Sequence, residues 1–239
     1  MALQKGDFIL IDYTAKIKET AETFDTTNEQ TAKTSHLHKE GETYEPKLIV
    51  IGEGWMLKPL DEAFTTMEPA KPATTEIPPE KAFGPRDPEK VRRVPLKQLL
   101  AKEVNNPQIG MRIDYGGKPA TIRAIGAGRV LLDFNPPLAG RTLVYEVTVQ
   151  KKLETNEEKI LALIHRRIPI ADQTKFKLTL EPNALTIDMP EETFYLEGIQ
   201  VAKRGLAMDV QRYFPDLTTI KFVETHKTEL PMPKPEAKP

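Results

Sequence analysis

The chain contains no cysteine. Disulfide frameworks, thiolate nucleophiles and zinc ribbons are thereby excluded, and the composition fits a reducing, cytoplasmic compartment. Aromatic residues are scarce, at 7%, with a single tryptophan. Neither sign of charge prevails: 34 Lys+Arg face 35 Asp+Glu, a formal net charge of -1. That balance argues against a nucleic-acid partner, whose phosphates call for a basic excess. Long apolar runs are also lacking. The longest, Ile160 to Ile164, falls far short of the ~20 residues a helix needs to cross a bilayer, so no membrane association is expected. The opening MALQKGDFILIDY sets Lys5, Asp7 and Asp12 around a short apolar stretch, unlike a signal or transit peptide. Walker loops and the GxGxxG, HExxH and GxSxG patterns are missing, so phosphate cradles, zinc proteolysis and serine hydrolysis have no support. His36 and His38 are two apart in a polar loop with no carboxylate scaffold and read as exposed rather than as metal ligands. His165 precedes Arg166 and Arg167, where a helix C-terminus favours cations. No cofactor or metal is expected.

What is present is a chain of 239 residues with 39% hydrophobic and 29% charged residues, enough apolar material for one to three packed domains. Its 21 prolines are about 9% of the chain against roughly 5% on average. Such stiff loops suit either a thermophile adaptation or a loop-rich β protein.

The first half reads as β. Asp7–Ile17 and Lys47–Ile51 are rich in Ile, Phe, Val and Tyr, as strands packed on one side require. Pro59–Met67 places Leu60, Ala63, Phe64 and Met67 at helical spacing behind a proline tolerated in a first turn. Thr26–Glu45 is a long loop or short helix, and Thr74–Ile77 a further short strand. Val91–Val104 is basic and partly helical. From Gly110 a meander follows, in which Gly116-Gly117 and Gly126-Ala127-Gly128 mark turns. Leu143–Val149 alternates strongly. Beyond Lys152, Thr155 and Glu158 form a capping-box pair in front of Ile160, Leu163 and Ile164. Lys175–Leu180 and Ala184–Ile187 suggest a hairpin. A long helix is expected after Pro190, with Tyr195, Ile199, Ala202, Leu206, Val210 and Tyr213 as one apolar stripe. Thr219–Val223 is a last strand, and residues 231–239 read as a disordered tail.

The order of these segments resembles the FKBP family of peptidyl-prolyl isomerases. IPPEKAFG (residues 77–84) is similar to that family's ipPekAYG signature, GEGWMLKPLDEAF (52–64) to its strand–turn–helix, and DFNPPLAG (133–140) followed by RTL to the return segment of SlyD-like members. The resemblance implies an α+β fold: a half-barrel antiparallel sheet around a short helix over residues 1–86 and 135–152, interrupted by a small β-rich insert-in-flap domain, 87–134. A C-terminal α+β domain, 153–230, is similar to that of long archaeal members.

It also implies a site. X–Pro isomerisation must break amide resonance, a barrier of about 18–20 kcal/mol. No nucleophile or proton transfer is needed, only a dry pocket that fits proline and a polar edge that favours the twisted amide. Carried over by motif position, the pocket would comprise Tyr13, Phe24, Asp25, Met56, Leu57, Leu60, Phe83 and Tyr145. Tyr13, Phe24 and Tyr145 would be aromatic walls, Leu60 the floor, and Met56 and Leu57 one side. The Leu57 N–H would meet a substrate carbonyl, and Asp25, held by the Tyr13 hydroxyl, would be the polar group. Read without the resemblance, the apolar members equally suit plain core packing, and Asp25 a turn start. Phe83 replaces the family's Tyr, Leu60 an aromatic floor, and Lys47 (or, with a one-residue slip, Leu48) an aromatic wall, which implies reduced catalytic power.

The insert of such proteins captures unfolded chains. Met111, Ile113, Tyr115, Ile122, Ile125, Val130 and Leu132 are its candidate client-binding residues, with burial in the insert's own core as the alternative. The implied partners are unfolded or proline-containing polypeptides. Two further readings stand beside this one: a holdase on a degenerate scaffold, and a homodimer formed through the C-terminal helix stripe.

Overall fold

A computed structural model describes residues 2–100, 104 and 106–227 of the chain; the expected tail at 231–239 lies outside them. Two compact units divide at Lys151/Lys152.

The first unit holds two sheets. The five-stranded one is built from β1 (Phe8–Ile17), β2 (Thr23–Thr26), β3 (Lys47–Val50), β4 (Pro72–Ile77) and β9 (Leu143–Leu153), in the order β2-β1-β9-β4, with β3 also on β1. The first half of β1 pairs with β3, Phe8 to Val50 through Ile11 to Lys47, and its second half with β2, Thr14 to Thr26. Strand periodicity explains which residues face inward. Ile9, Ile11, Tyr13 and Ala15 are buried along β1, and Leu143, Tyr145, Val147 and Val149 along β9. Short helix α2 (Lys58–Ala63) lays Leu60 against this face, and Phe64, in the turn that follows, seats beside it; both are fully buried. Before α2, the Gly52–Gly54 turn is held by the buried Asp61, which accepts the Gly52 and Gly54 N–H at 3.0 and 3.2 Å. Gly52 adopts φ +85°, and a Cβ there would lie 2.5 Å from the Lys5 side chain. Helix α1 (Glu29–Thr34) falls within the stretch expected as loop or short helix and is capped by Asn28.

The second sheet of this unit has the order β5-β8-β7-β6, with β5 (Val91–Pro95), β6 (Arg112–Asp114), β7 (Pro119–Gly126) and β8 (Arg129–Asp133). The meander is as expected, but Val91–Pro95 is a strand rather than part of a helix. Among the described residues of that stretch, α3 (Leu96–Leu100) is the helical part. β5 occupies an edge, where exposed Arg92, Arg93 and a terminal proline are tolerated. The client-binding expectation is corrected at four positions: Ile113, Ile122, Val130 and Leu132 are buried as this sheet's own core, with Val94, Leu99 and Ala120. Their alternation turns them to the covered face. Met111 stays 40% exposed, and Tyr115 and Ile125 are half-buried.

The second unit contains α4 (Asn156–Arg167), β10 (Lys177–Leu180), β11 (Ala184–Met189), α5 (Ile199–Tyr213) and β12 (Thr219–Glu224). The Thr155–Glu158 capping box forms in full. β10 and β11 make the expected hairpin, and β12 adds parallel to β11. The helix after Pro190 begins later than its stripe suggests. Glu191–Thr193 is a single 3-10 turn closed by the Thr193 hydroxyl on the Pro190 carbonyl, and α5 starts after Gly198 in the left-handed region. Tyr195 therefore lies off the helix and is 87% exposed, while Ile199, Leu206 and Val210 are buried within the unit. α5 meets α4 across Gly205, where a Cβ would come 2.9 Å from Arg167, whose guanidinium grips Asp209 at 2.7 and 2.9 Å.

Candidate active site

Tyr13 sits in the middle of β1, one strand from Tyr145 on β9 and opposite the β2 edge that carries Phe24 and Asp25. Thr26 and Thr27 fix its backbone. The Tyr13 N–H donates to Thr27 Oγ1 at 2.9 Å, and its carbonyl accepts the Thr27 N–H and the Thr26 hydroxyl, each at 3.0 Å. A register shift between Ala15 and Lys16 lies beside the Asp25 pairing, the kind of irregularity that re-aims a side chain.

The side chains form an aromatic corner. The Tyr13 and Tyr145 rings lie 6.1 Å apart and tilted, and Phe24 meets Tyr145 edge-on at the same separation, arrangements that complement ring quadrupoles. Leu60 is fully buried, and Phe24, Trp55, Met56 and Leu57 pack half-buried against the core cluster to which it belongs. The Tyr13 hydroxyl donates to Asp25 Oδ2 at 2.7 Å. Lys47 extends its Nζ to 3.5 Å from the same hydroxyl and 5.7 Å from the Tyr13 ring centre. A relay of lysine, phenol and carboxylate thus lines the rim. The Leu57 carbonyl accepts the Leu60 and Asp61 N–H groups, while its own N–H bonds no described residue.

The electrostatics keep both phenols neutral. Burial, followed by the hydrogen bond and charge of Asp25, pushes the Tyr13 hydroxyl far above the usual phenol range. Burial, and after it the Asp25 charge, pushes Tyr145 up to about 12. The polar edge consequently consists of one carboxylate and donors that hold their protons, in an apolar surround. That chemistry suits no hydrolysis, but it suits a rotating amide, which needs stabilisation of shape and dipole only.

Seven of the eight sequence-derived residues are brought to this corner. Phe83 is the exception: it follows the Pro79–Lys81 turn, is 44% exposed and stands outside the buried cluster, whereas its neighbour Ala82 packs on it. Leu138 also packs on the cluster. Sequence reasoning passed over it, although it lies within the NPPLAG return, whose position in the motif was the available signal. His38 stacks on Tyr44 at 5.3 Å, and the described residues contain no His, Cys, Asp and Glu group able to hold a metal ion.

Comparison with known proteins places this architecture. A short-type peptidyl-prolyl cis-trans isomerase of Methanocaldococcus jannaschii is 34% identical over 148 residues, covering 62% of this chain and 92% of the relative. An FKBP-type peptidyl-prolyl cis-trans isomerase SlyD of Treponema pallidum is 30% identical over 125 residues, 49% of this chain and 68% of the relative. The chain belongs to the FKBP-type peptidyl-prolyl cis-trans isomerases. An Escherichia coli FKBP-type 16 kDa isomerase is more distant, at 23% identity over 153 residues, 62% of this chain and 92% of the relative. Two family models match further segments: the one described as FKBP26, IF domain, over residues 92–138, and the one described as FKBP26_C-terminal, over 156–227. This FKBP accordingly carries both an insert and a C-terminal domain of archaeal type. Its described helices include none long and apolar enough to cross a membrane.

Proposed function

We propose that the chain accelerates cis/trans isomerisation of X–Pro bonds in polypeptides, with the proline ring on Leu60 between Tyr13, Phe24 and Tyr145. The Leu57 N–H would take a substrate carbonyl, and Asp25 would favour the twisted amide. The Tyr13–Asp25 bond of 2.7 Å carries this reading, because a carboxylate fixed against an aromatic pocket has no packing purpose. In this reading Phe83 and Lys47 reduce the rate, since each forgoes an interaction worth ~0.5–1.5 kcal/mol, roughly two- to tenfold. Isomerisation of a short X–Pro peptide, compared between the native chain and Asp25→Ala, tests it. Acceleration that Asp25→Ala largely removes is the expected result; none in either form would overturn it.

A holdase role has its own support. Leu100, Ile109 and Met111 of the insert are 48%, 68% and 40% exposed, and exposed apolar side chains of this kind attract unfolded chains. The client surface we infer is therefore Met111 with Tyr115 and Ile125, joined by Ile109, and not the buried row. A client assay in which Ile109→Ser with Met111→Ser leaves aggregation suppression intact would exclude it. For the C-terminal unit we infer self-association through exposed Val201 and Met208 on α5; a single monomeric mass in light scattering would rule this out. A cytoplasmic location, with neither nucleic acid nor membrane as partner, accords with the balanced charge and lack of cysteine.

A further inference from the structure

Asp133, at the end of β8, is 1% exposed and lies where the insert sheet rejoins the chain. Its Oδ2 accepts Arg86 Nε and Nη2 at 3.2 and 2.9 Å and Arg123 Nε at 3.2 Å, and its Oδ1 accepts the Asn135 N–H and side-chain amide at 3.0 and 2.8 Å. Arg123 is the extra residue of a bulge in β7: Ile122 pairs with Leu132 and Ala124 with Leu131. Such bulges re-aim a side chain toward a site. Arg86 is held close by Gly140, whose φ of +74° and missing Cβ leave room that any other residue would fill 2.9 Å from the Arg86 Cβ. The Gly140 N–H closes the approach on the Gly84 carbonyl at 2.8 Å.

The result is a concavity of about 440 Å³ lined by Arg86, Arg123 and Arg141 around one carboxylate, with Pro136, Pro137 and Ala139 as its apolar wall. Arg86 and Arg123 keep 51% and 41% of their side chains accessible while bonded to Asp133, so guanidinium donors remain for a ligand. Two further carboxylates lie nearby but outside the lining: Asp87, whose side chain accepts the Glu89 N–H and faces Lys90, and Glu19, which accepts the Thr142 N–H at 3.0 Å and feels the charge of Arg141. Three cations against one lining anion leave an excess of positive charge. Leu138, between Pro137 and Ala139 of the wall, packs on the core cluster that includes Tyr13, Leu60 and Tyr145, so the loop that walls this concavity also touches the core on which the candidate pocket is built.

We propose that the arginine-lined concavity at the base of the insert binds an acidic side chain of the polypeptide whose proline occupies the aromatic pocket. The isomerase then prefers X–Pro sites with a carboxylate, or a phosphoryl group, a few residues away. This rests on the isomerase reading above and adds a specificity to it. Guanidinium groups recognise both oxyanions through paired N–H bonds, and the preference weakens as salt screens the charges.

The test uses the full chain and X–Pro peptides that differ in one residue near the proline: Glu, Gln, Lys or phosphoserine. KM is taken from isomerisation, and binding from fluorescence anisotropy of the same labelled peptides. The native chain is expected to favour Glu over Gln by about three- to tenfold and over Lys by more, phosphoserine matching or exceeding Glu. Arg141→Gln, at a position outside the Asp133 network, brings the Glu-to-Gln ratio near one, and Arg141→Glu inverts the preference toward Lys. Equal affinity for all four peptides by a chain that isomerises them would overturn the proposal and leave the isomerase reading intact. Inorganic phosphate competing as strongly as the acidic peptide would also overturn it, since the site would then serve free anions. Were no peptide isomerised, anisotropy alone decides: an acidic preference that Arg141→Gln abolishes upholds the concavity and sinks the isomerase reading, and its absence sinks both.

Discussion

The two sheets of the first unit each carry a carboxylate at a decisive place, and they use it in opposite ways. Asp25, at the β2 edge, is exposed and accepts one bond, from Tyr13. Asp133, at the end of β8, is buried and accepts five from Arg86, Arg123 and Asn135. A saturated carboxylate holds chain segments together and has no oxygen to spare for a substrate. A carboxylate tethered through one oxygen keeps the other for chemistry. The same side chain is therefore a cornerstone in one sheet and a working group in the other, and the count of donors separates the two.

That contrast can be broken most forcefully at Asp133. Asp133→Ala removes five hydrogen bonds that tie Arg86, Arg123 and Asn135 to one buried carboxylate, and a loss of about 2–4 kcal/mol is expected in urea unfolding. Asp25→Ala should cost under about 1.5 kcal/mol yet lower isomerase kcat/KM tenfold or more. If the two costs in stability were equal, the distinction would collapse. Acid sharpens it further. Burial raises the Asp133 pKa, but the Asn135 bonds and then those of Arg123 and Arg86 more than offset this, and the net shift is downward. Its contribution is present above the usual carboxylate range and disappears as pH falls through the folded value, so Asp133→Asn should flatten the acid limb of a Tm-against-pH curve.

Alkali probes the other sheet. Tyr145 holds its proton to about pH 12 when folded, whereas an unfolded chain releases it near ~10. Between those values the folded state binds more protons, and stability falls as pH rises. Tyr145→Phe should lessen that fall, and a Tm unchanged between pH 9 and 11 in the native chain would contradict it. The smallest effect is expected from Phe83→Tyr, which adds a hydroxyl at a 44% exposed position and should raise peptide isomerisation about two- to tenfold. No gain would mean that the rim at Phe83 does not reach the substrate.

Much of this arrangement is legible from local pattern. Alternation along β1 and β9 announces the inward face that includes Tyr13 and Tyr145, because a strand has no other way to segregate apolar residues. The Thr155–Glu158 box marks the start of α4 for an equally local reason. Seven pocket residues follow from motif order, although it took the fold to bring Tyr13 within 2.7 Å of Asp25. Phe83 is left outside because its turn exposes it. Val91–Pro95 does not read as a strand by itself; β8 makes it one by pairing. Tyr195 fits the helical stripe by spacing, yet Gly198, left-handed at φ 77°, starts the helix beyond it.

Whether a residue faces inward, and where a helix can be capped, depends on neighbours a few positions away, and those the sequence alone determined. Which apolar residues of the insert become core, how the bulge at Arg123 turns toward Asp133, and how Arg86 reaches a carboxylate 47 positions away were decided only by tertiary structure. Burial and ion pairing depend on distance in space, and chain spacing carries no record of which distant segments a fold will join.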